Sequence, residues 1–429
     1  MSVVPANSSA RVAPRATANA AVVTRSTLLL GAVVTFMIAP KIDVISVLRV
    51  EDIVFLLTLP VLIWSYRPGD THAPAYFNWY VAYLAIGFVS ALVNYGNVGL
   101  FGAINVLRPI QYMIWFLIGA QMARGVSEER FRKGMSVVAL VLILWWIGEA
   151  SGALPKIGKF TGASGRLTLN TSGPYETAVV VAFLLIFVRN RVLQIGLIGI
   201  LFATQSRITL ATAVAVYLAF NLRKSVVFAI PVAFLAGGLI LIAPDMLLSD
   251  RLAATAMPFQ MWQAFLHQIE ASPTITSLGD YEYFGYTTVW NQIGQNASDA
   301  SFTMRTIRWG LIIKSLQSDW LHLLLGWGPG AWGAAVDGHF IRFLGETGLI
   351  GLTTALMFMW RSALSTESPR PYKIAMAIMI GSALFIDVFT SSKAMSFLWV
   401  IFGYSYNRPF HLARLSGIVK NEHTPRVGG

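Results

Sequence analysis

Cysteine is missing altogether, which excludes disulfides, thiol catalysis and thiolate metal sites. Histidine is scarce, and its six residues are scattered with no close spacing, so a structural metal site is not expected. Charge is the third shortage. Only 12% of the 429 residues are Asp, Glu, Lys or Arg, against 55% hydrophobic, whereas a soluble domain carries roughly twice that charged fraction. With a mean hydropathy of +0.62, the chain reads as a polytopic membrane protein. Its formal net charge of +12 invites a nucleic-acid reading, but no basic cluster is interleaved with a soluble fold. Excess Lys and Arg in cytoplasmic loops accounts for the charge, and no nucleic acid is expected as a partner.

What is present is a series of apolar runs. Residues 1–24, rich in Ala, Ser, Val and Pro without helical periodicity, read as a disordered cytoplasmic tail. No small-residue cleavage site follows the first run, so that run is a retained span rather than a signal peptide. Runs fall at 26–40, 51–66, 76–94, 104–122, 135–150, 173–188, 191–205, 206–221 and 225–243, then at 339–360, 371–390 and 394–407. They predict an all-α fold of about 12 transmembrane helices, several shorter than the roughly 20 residues a bilayer needs. Helices 1–9 occupy 25–243, a large, partly helical loop covers 244–338, helices 10–12 occupy 339–407, and a tail covers 408–429. With the N-terminus inside, 19 of the 32 Lys and Arg residues fall on the inner side, which sets both termini in the cytoplasm and the large loop outside.

The stretch 303–352 carries the densest chemistry. It opens as a basic, apolar-striped helix with Arg305, Arg308 and Lys314, then breaks at Gly326-Trp327-Gly328-Pro329-Gly330, where glycine and proline forbid continued helix. Gly338 opens a second apolar helix whose His339, Arg342 and Glu346 share one face. Ionisable groups in a bilayer are costly, so that face has a use. The orientation puts Arg166, Arg207, Arg305, Arg308 and His339 on one side of a bacterial inner membrane, the periplasmic side. Activated substrates reach that side attached to lipid, because cytoplasmic nucleotide sugars and ATP do not. Tyr281, Tyr283, Phe284, Tyr286 and Trp290 in the loop suit either stacking on sugars or an interfacial aromatic belt.

The glycine turn, followed by Gly338-His339-Phe340-Ile341-Arg342-Phe343-Leu344-Gly345-Glu346-Thr347-Gly348-Leu349-Ile350-Gly351, resembles the hallmark of the O-antigen ligase and polymerase superfamily. Arg166-Leu167-Thr168 with Gly173-Pro174-Tyr175-Glu176-Thr177-Ala178 is similar to its segment entering a span. Ser206-Arg207 followed by Thr209-Leu210-Ala211 is similar to its Ser-Arg motif, and Arg305 with Trp309 to its arginine before the glycine turn. The chain departs from the pattern at Tyr175 and Phe340, where the family favours Asn, and Arg305 and Arg308 compete for one role.

The resemblance implies an integral-membrane glycosyltransferase that uses undecaprenyl-diphosphate-linked glycans without a metal or other cofactor. It either polymerises lipid-linked repeat units into a surface or secreted polysaccharide, or ligates finished glycan to lipid A-core or protein. His339 would be the general base that takes the acceptor hydroxyl proton, an imidazole titrating near neutrality. The plain alternative is an interfacial histidine bonded to a carbonyl. Arg166, Arg207, Arg305 and Arg308 would clamp the diphosphate bidentately, against snorkelling as the plain reading for Arg207. Arg342 and Glu346, four residues apart, read as an internal pair that shapes the site. The implied partners are the lipid-linked oligosaccharide donor and acceptor, membrane lipid, a flippase and a chain-length regulator. A multispan transporter is the reading from another class.

Overall fold

The computed structural model describes residues 13–45, 48–66, 69, 71–155, 167–171, 173–220, 266–267, 269–284, 300–333 and 336–415. The run at 225–243, Arg166, Tyr286 and Trp290 lie outside the described residues. The described chain is helical apart from one small hairpin. It runs α1 (Ala13–Ile38), β1 (Asp43–Ile45), β2 (Leu48–Arg49), α2 (Val50–Ser65), α3 (Phe77–Val93), α4 (Tyr95–Met122) and α5 (Glu128–Ala150). It continues through α6 (Pro174–Phe187), α7 (Arg191–Ala203), α8 (Arg207–Phe220), α9 (Ala300–Gln317) and α10 (Trp320–Leu325). Last come α11 (His339–Leu364), α12 (Arg370–Ala383), a 3-10 turn (Val388–Thr390) and α13 (Ser392–Leu415). The antiparallel hairpin pairs Asp43 with Arg49 and Ile45 with Leu48.

Helix starts follow local chemistry. Ser127 accepts from the Arg130 amide and is followed by Glu128 and Glu129, a cap plus acidic first turn that offsets the helix dipole. Asn190 caps α7 by accepting from the Val192 and Leu193 amides. Pro174 opens α6, where its missing N–H costs nothing. Among the described residues, three segments are long and apolar enough to cross a membrane: Ala21–Ile38, Glu128–Ala150 and His339–Leu364. Phe77–Val93, Pro174–Phe187, Arg191–Ala203 and Arg207–Phe220 are apolar but shorter.

Two boundaries differ from the apolar runs. The first helix begins at Ala13, inside the stretch read as a disordered tail, and α13 continues to Leu415, inside the stretch read as the C-terminal tail. A polar helical end costs nothing in water, so hydropathy marks where a helix enters lipid rather than where it starts. Two helices are also broken. Gly99 (φ 53°) and Gly348 (φ 65°) sit in the left-handed region inside α4 and α11, so neither is one straight rod.

The main core is lined by all but a few of these helices. Along it α13 packs on α4, and two glycines set the closeness. A Cβ on Gly119 would lie 2.5 Å from the Val400 carbonyl, and one on Gly403 would strike the Phe116 carbonyl. Small residues let backbones approach in this way. Aromatics fill the rest: Tyr372 stacks on Phe402 at 4.1 Å, and Tyr80 meets Trp399 edge-on at 4.7 Å. A second, smaller core of Ile307, Trp309, Ile312, Trp327, Trp332 and Tyr281 holds α9 against the glycine turn. Tyr281 packs edge-on to Trp332 at 4.8 Å and is a core residue, whereas Tyr283 is exposed.

Candidate active site

Asp387, just after α12, organises the site. It is buried, and its Oδ2 accepts from the Val336 amide at 2.8 Å and the Asp337 amide at 3.0 Å, while its Oδ1 accepts from the Gly338 amide at 3.3 Å. Those three amides lead directly into α11, so the carboxylate sits at a helix N-terminus where negative charge is favoured. His339, the first residue of that helix, is 2% exposed and places its Nδ1 3.7 Å from Asp387 Oδ1. Phe343 meets the imidazole edge-on at 4.3 Å and Phe389 lies at 5.1 Å, so the ring is held on two sides. Among the described residues Nε2 makes no hydrogen bond within the protein. Arg342 donates from Nη2 to Asp387 Oδ2 at 3.1 Å and to the Gly333 carbonyl at 2.9 Å. Its Nη1 donates to Glu346 Oε1 at 3.3 Å. The spacing of Arg342 and Glu346 already implied this pair; its extension through Asp387 to His339 is a tertiary result.

The glycine turn is bolted to α11 by backbone. Trp327 N–H donates to the Gly345 carbonyl at 2.9 Å and Gly328 N–H to the Glu346 carbonyl at 3.0 Å. Ser90 Oγ also donates to Glu346 O at 2.9 Å. Such contact requires Gly326 (φ 74°), where a Cβ would meet the Glu346 carbonyl at 2.5 Å. Behind the turn, His322 stacks on Trp327 at 3.8 Å, with Asp319 Oδ2 3.3 Å from Nδ1 and Asn94 Oδ1 3.2 Å from Nε2. Burial holds the His322 pKa below its ordinary value, and Asp319 opposes that shift.

The arginines divide. Arg305 Nε pairs with Asp337 Oδ2 at 3.4 Å, and Arg308, one turn on, adds its charge to the same carboxyl. Burial nevertheless dominates and raises the Asp337 pKa above the usual range, with Arg305 as the larger opposing influence. Both arginines therefore stand two residues from His339 along the chain at Asp337. Arg207 is exposed at the first residue of α8, and the ion pairs linking the other residues do not include it. Arg166 lies outside the described residues, but its neighbour Leu167 donates to the Ala203 carbonyl at 3.3 Å, beside the Ser206-Arg207 turn. Among the described residues the non-glycine positions at positive φ are Leu169 (45°), Gln205 (53°) and Asp337 (57°). Each stands two or three residues from Arg166, Arg207 or His339. Such conformations cost roughly 1–3 kcal/mol and persist only where the surroundings enforce them.

A second buried ionic group lies beside the first and was not anticipated from sequence. Lys41 Nζ pairs with Glu176 Oε2 at 3.0 Å, Ser391 Oγ donates to Glu176 Oε1 at 2.6 Å, and the Lys393 amide donates there at 3.2 Å. Ser392 Oγ donates to Glu51, whose carboxylate also lies 3.7 Å from Arg49. Fully buried Lys393 donates its ammonium to the carbonyls of Ala39 and, at 2.8 Å, of Asn170. The two groups are joined by residues 387–393. In sequence Lys41 and Lys393 count only as outer-side charges, and Asp387 stands as an intramembrane charge within the run 371–390 with no motif around it.

The arrangement suits proton transfer at His339 Nε2, with the cation that forms facing Asp387 through Nδ1. It also suits an anionic substrate group near Arg305 and Arg308. Among the described residues, no three His, Asp or Glu side chains are grouped as metal ligands. No family model and no curated protein matches the chain significantly.

Proposed function

We propose that this chain is a polytopic inner-membrane glycosyltransferase of about 12 spans that polymerises undecaprenyl-diphosphate-linked oligosaccharide repeats at the periplasmic face, without a metal. The supporting observation is that His339 Nδ1 lies 3.7 Å from Asp387 Oδ1, beyond hydrogen-bond reach, and Nε2 makes no hydrogen bond among the described residues, with the Arg305–Asp337 pair of α9 two residues away along the chain. The growing chain on its lipid diphosphate is the donor and a new lipid-linked repeat is the acceptor. The acceptor hydroxyl oxygen attacks the anomeric carbon and gives its proton to His339 Nε2. The bond from that carbon to the diphosphate oxygen breaks, and undecaprenyl diphosphate leaves with the electron pair, with inversion. Arg305 and Arg308, with Arg207 and Arg166, neutralise the departing charge. Asp387 holds the imidazolium, and Arg342 with Glu346 fixes Asp387. Asp337 pairs with Arg305, so the donor diphosphate must displace that carboxylate or share the guanidinium with it.

Purified protein given lipid-linked repeats should release undecaprenyl diphosphate and lengthen the glycan. His339→Ala should lower turnover by about 10²–10⁴-fold, the usual contribution of a general base, with donor affinity retained. Near-normal polymer from His339→Ala would sink the assignment of the base. Release of the diphosphate only when lipid A-core or a protein acceptor is supplied would convert the polymerase into a ligase.

A further inference from the structure

At the end of the bundle away from His339 lies a cavity of about 430 Å³, lined by Glu128, Glu129, Arg132, Lys133, Ser136, Phe187, Arg189 and Asn190. It is separated from Glu176 by the length of α6, eleven residues or about 16 Å of rise. The volume falls within the roughly 300–1,000 Å³ typical of small-molecule sites. Three cations and two carboxylates line it. The carboxylates are engaged on their own helix: Glu128 with Arg132, and Glu129 with Lys133 at 2.8 Å. Two donors are left over. Arg189 is exposed and makes no ion pair or hydrogen bond among the described residues, and Arg132 Nε is buried with no acceptor.

Below the cavity, α5 and α7 touch where Gly196 meets Ile143 and Gly199 meets Trp146. Exposed Val137, Leu140 and Leu144 flank that seam on α5, and exposed Val192 and Ile195 flank it on α7. A polar mouth with spare guanidinium donors above an apolar track matches a phosphate with hydrocarbon attached, and basic pockets between helices recognise acidic lipid headgroups in this way. Guanidinium is the side chain best suited to a phosphate oxygen pair.

We infer that this cavity is a phosphate site and that its occupant is the headgroup of an acidic phospholipid, with its acyl chains along the α5–α7 seam. The inference is independent of the proposed transferase activity. Detergent-solubilised full-length protein, titrated near pH 7 in moderate salt, tests it through ligand-dependent thermal stabilisation. Phosphatidylglycerol should act at concentrations at least about tenfold below phosphatidylcholine, and Arg189→Glu should erase most of that difference, as loss of a charged contact implies. Arg189→Gln should weaken it less. Arg130→Glu makes the same charge change on α5 outside the cavity and should leave the preference largely intact. Equal responses to the two lipids, or equal losses in Arg189→Glu and Arg130→Glu, would overturn the site. A saturable response to glycerol phosphate at the concentrations effective for phosphatidylglycerol would overturn the lipid as occupant.

Discussion

Asp387 accepts from three consecutive amides and one guanidinium, so its orientation is set before any substrate arrives. That commitment makes the Arg342–Asp387 pair hazardous to probe, because stripping one partner from a buried pair costs about 3–5 kcal/mol. His339 is the cleaner target. Asp337 offers a separate handle through pH. Its folded-state pKa lies above the ordinary value, because burial outweighs Arg305. Protonated Asp337 is therefore the form favoured by folding, and its stabilising effect is present at low pH and lost as pH rises through the raised pKa. Asp337→Asn keeps the shape without the charge, so its thermal midpoint relative to wild type should improve between pH 4 and pH 7. A relative midpoint that falls over that interval would mean that the Arg305 pair, not burial, dominates.

At the scale of elements, the break at Gly348 matters most. The first part of α11 carries His339, Arg342 and Glu346, and the backbone turns at φ 65° just beyond them. The Leu324 backbone at the end of α10 presses into the space where a Cβ would stand. Gly348→Ala thus meets two penalties, a positive-φ backbone (φ 65°, ψ −168°) essentially confined to glycine and costing about 1–3 kcal/mol, and a direct clash with main chain. Gly152→Ala meets only a positive-φ penalty, since Gly152 has φ 75° and open space around it. Thermal unfolding in detergent should show a clearly larger loss for Gly348→Ala. Equal losses would show that the α10–α11 approach yields easily and does not hold the segment that carries His339, Arg342 and Glu346.

For the whole molecule, orientation decides which ends share a compartment. The natural absence of cysteine gives a clean background for single substitutions. Arg130→Cys, at the exposed start of α5, and Tyr283→Cys, at an exposed loop position, should behave oppositely toward a membrane-impermeant maleimide applied to intact cells. Tyr283→Cys should label and Arg130→Cys should label only after the membrane is opened. Labelling of both from outside would overturn the arrangement of a periplasmic site and a cytoplasmic-leaflet cavity.

Local sequence determined the helices because helix formation is a local matter. The run at 173–188 became Pro174–Phe187, opened by a proline at its first position, and the run at 191–205 became Arg191–Ala203 behind an asparagine cap. The Arg342–Glu346 pair was legible for the same reason, since four residues make one turn. The break at Gly348 was not, because a glycine within an apolar run signals close helix approach yet is compatible with unbroken helix until another backbone arrives beside it. Arg342 finds Asp387 45 residues away, and Lys41 finds Glu176 135 residues away. A buried charge must be paired, but nothing in its neighbourhood along the chain names the partner. That choice was left to packing, which brings distant helix ends into contact and decides which carboxylate faces His339.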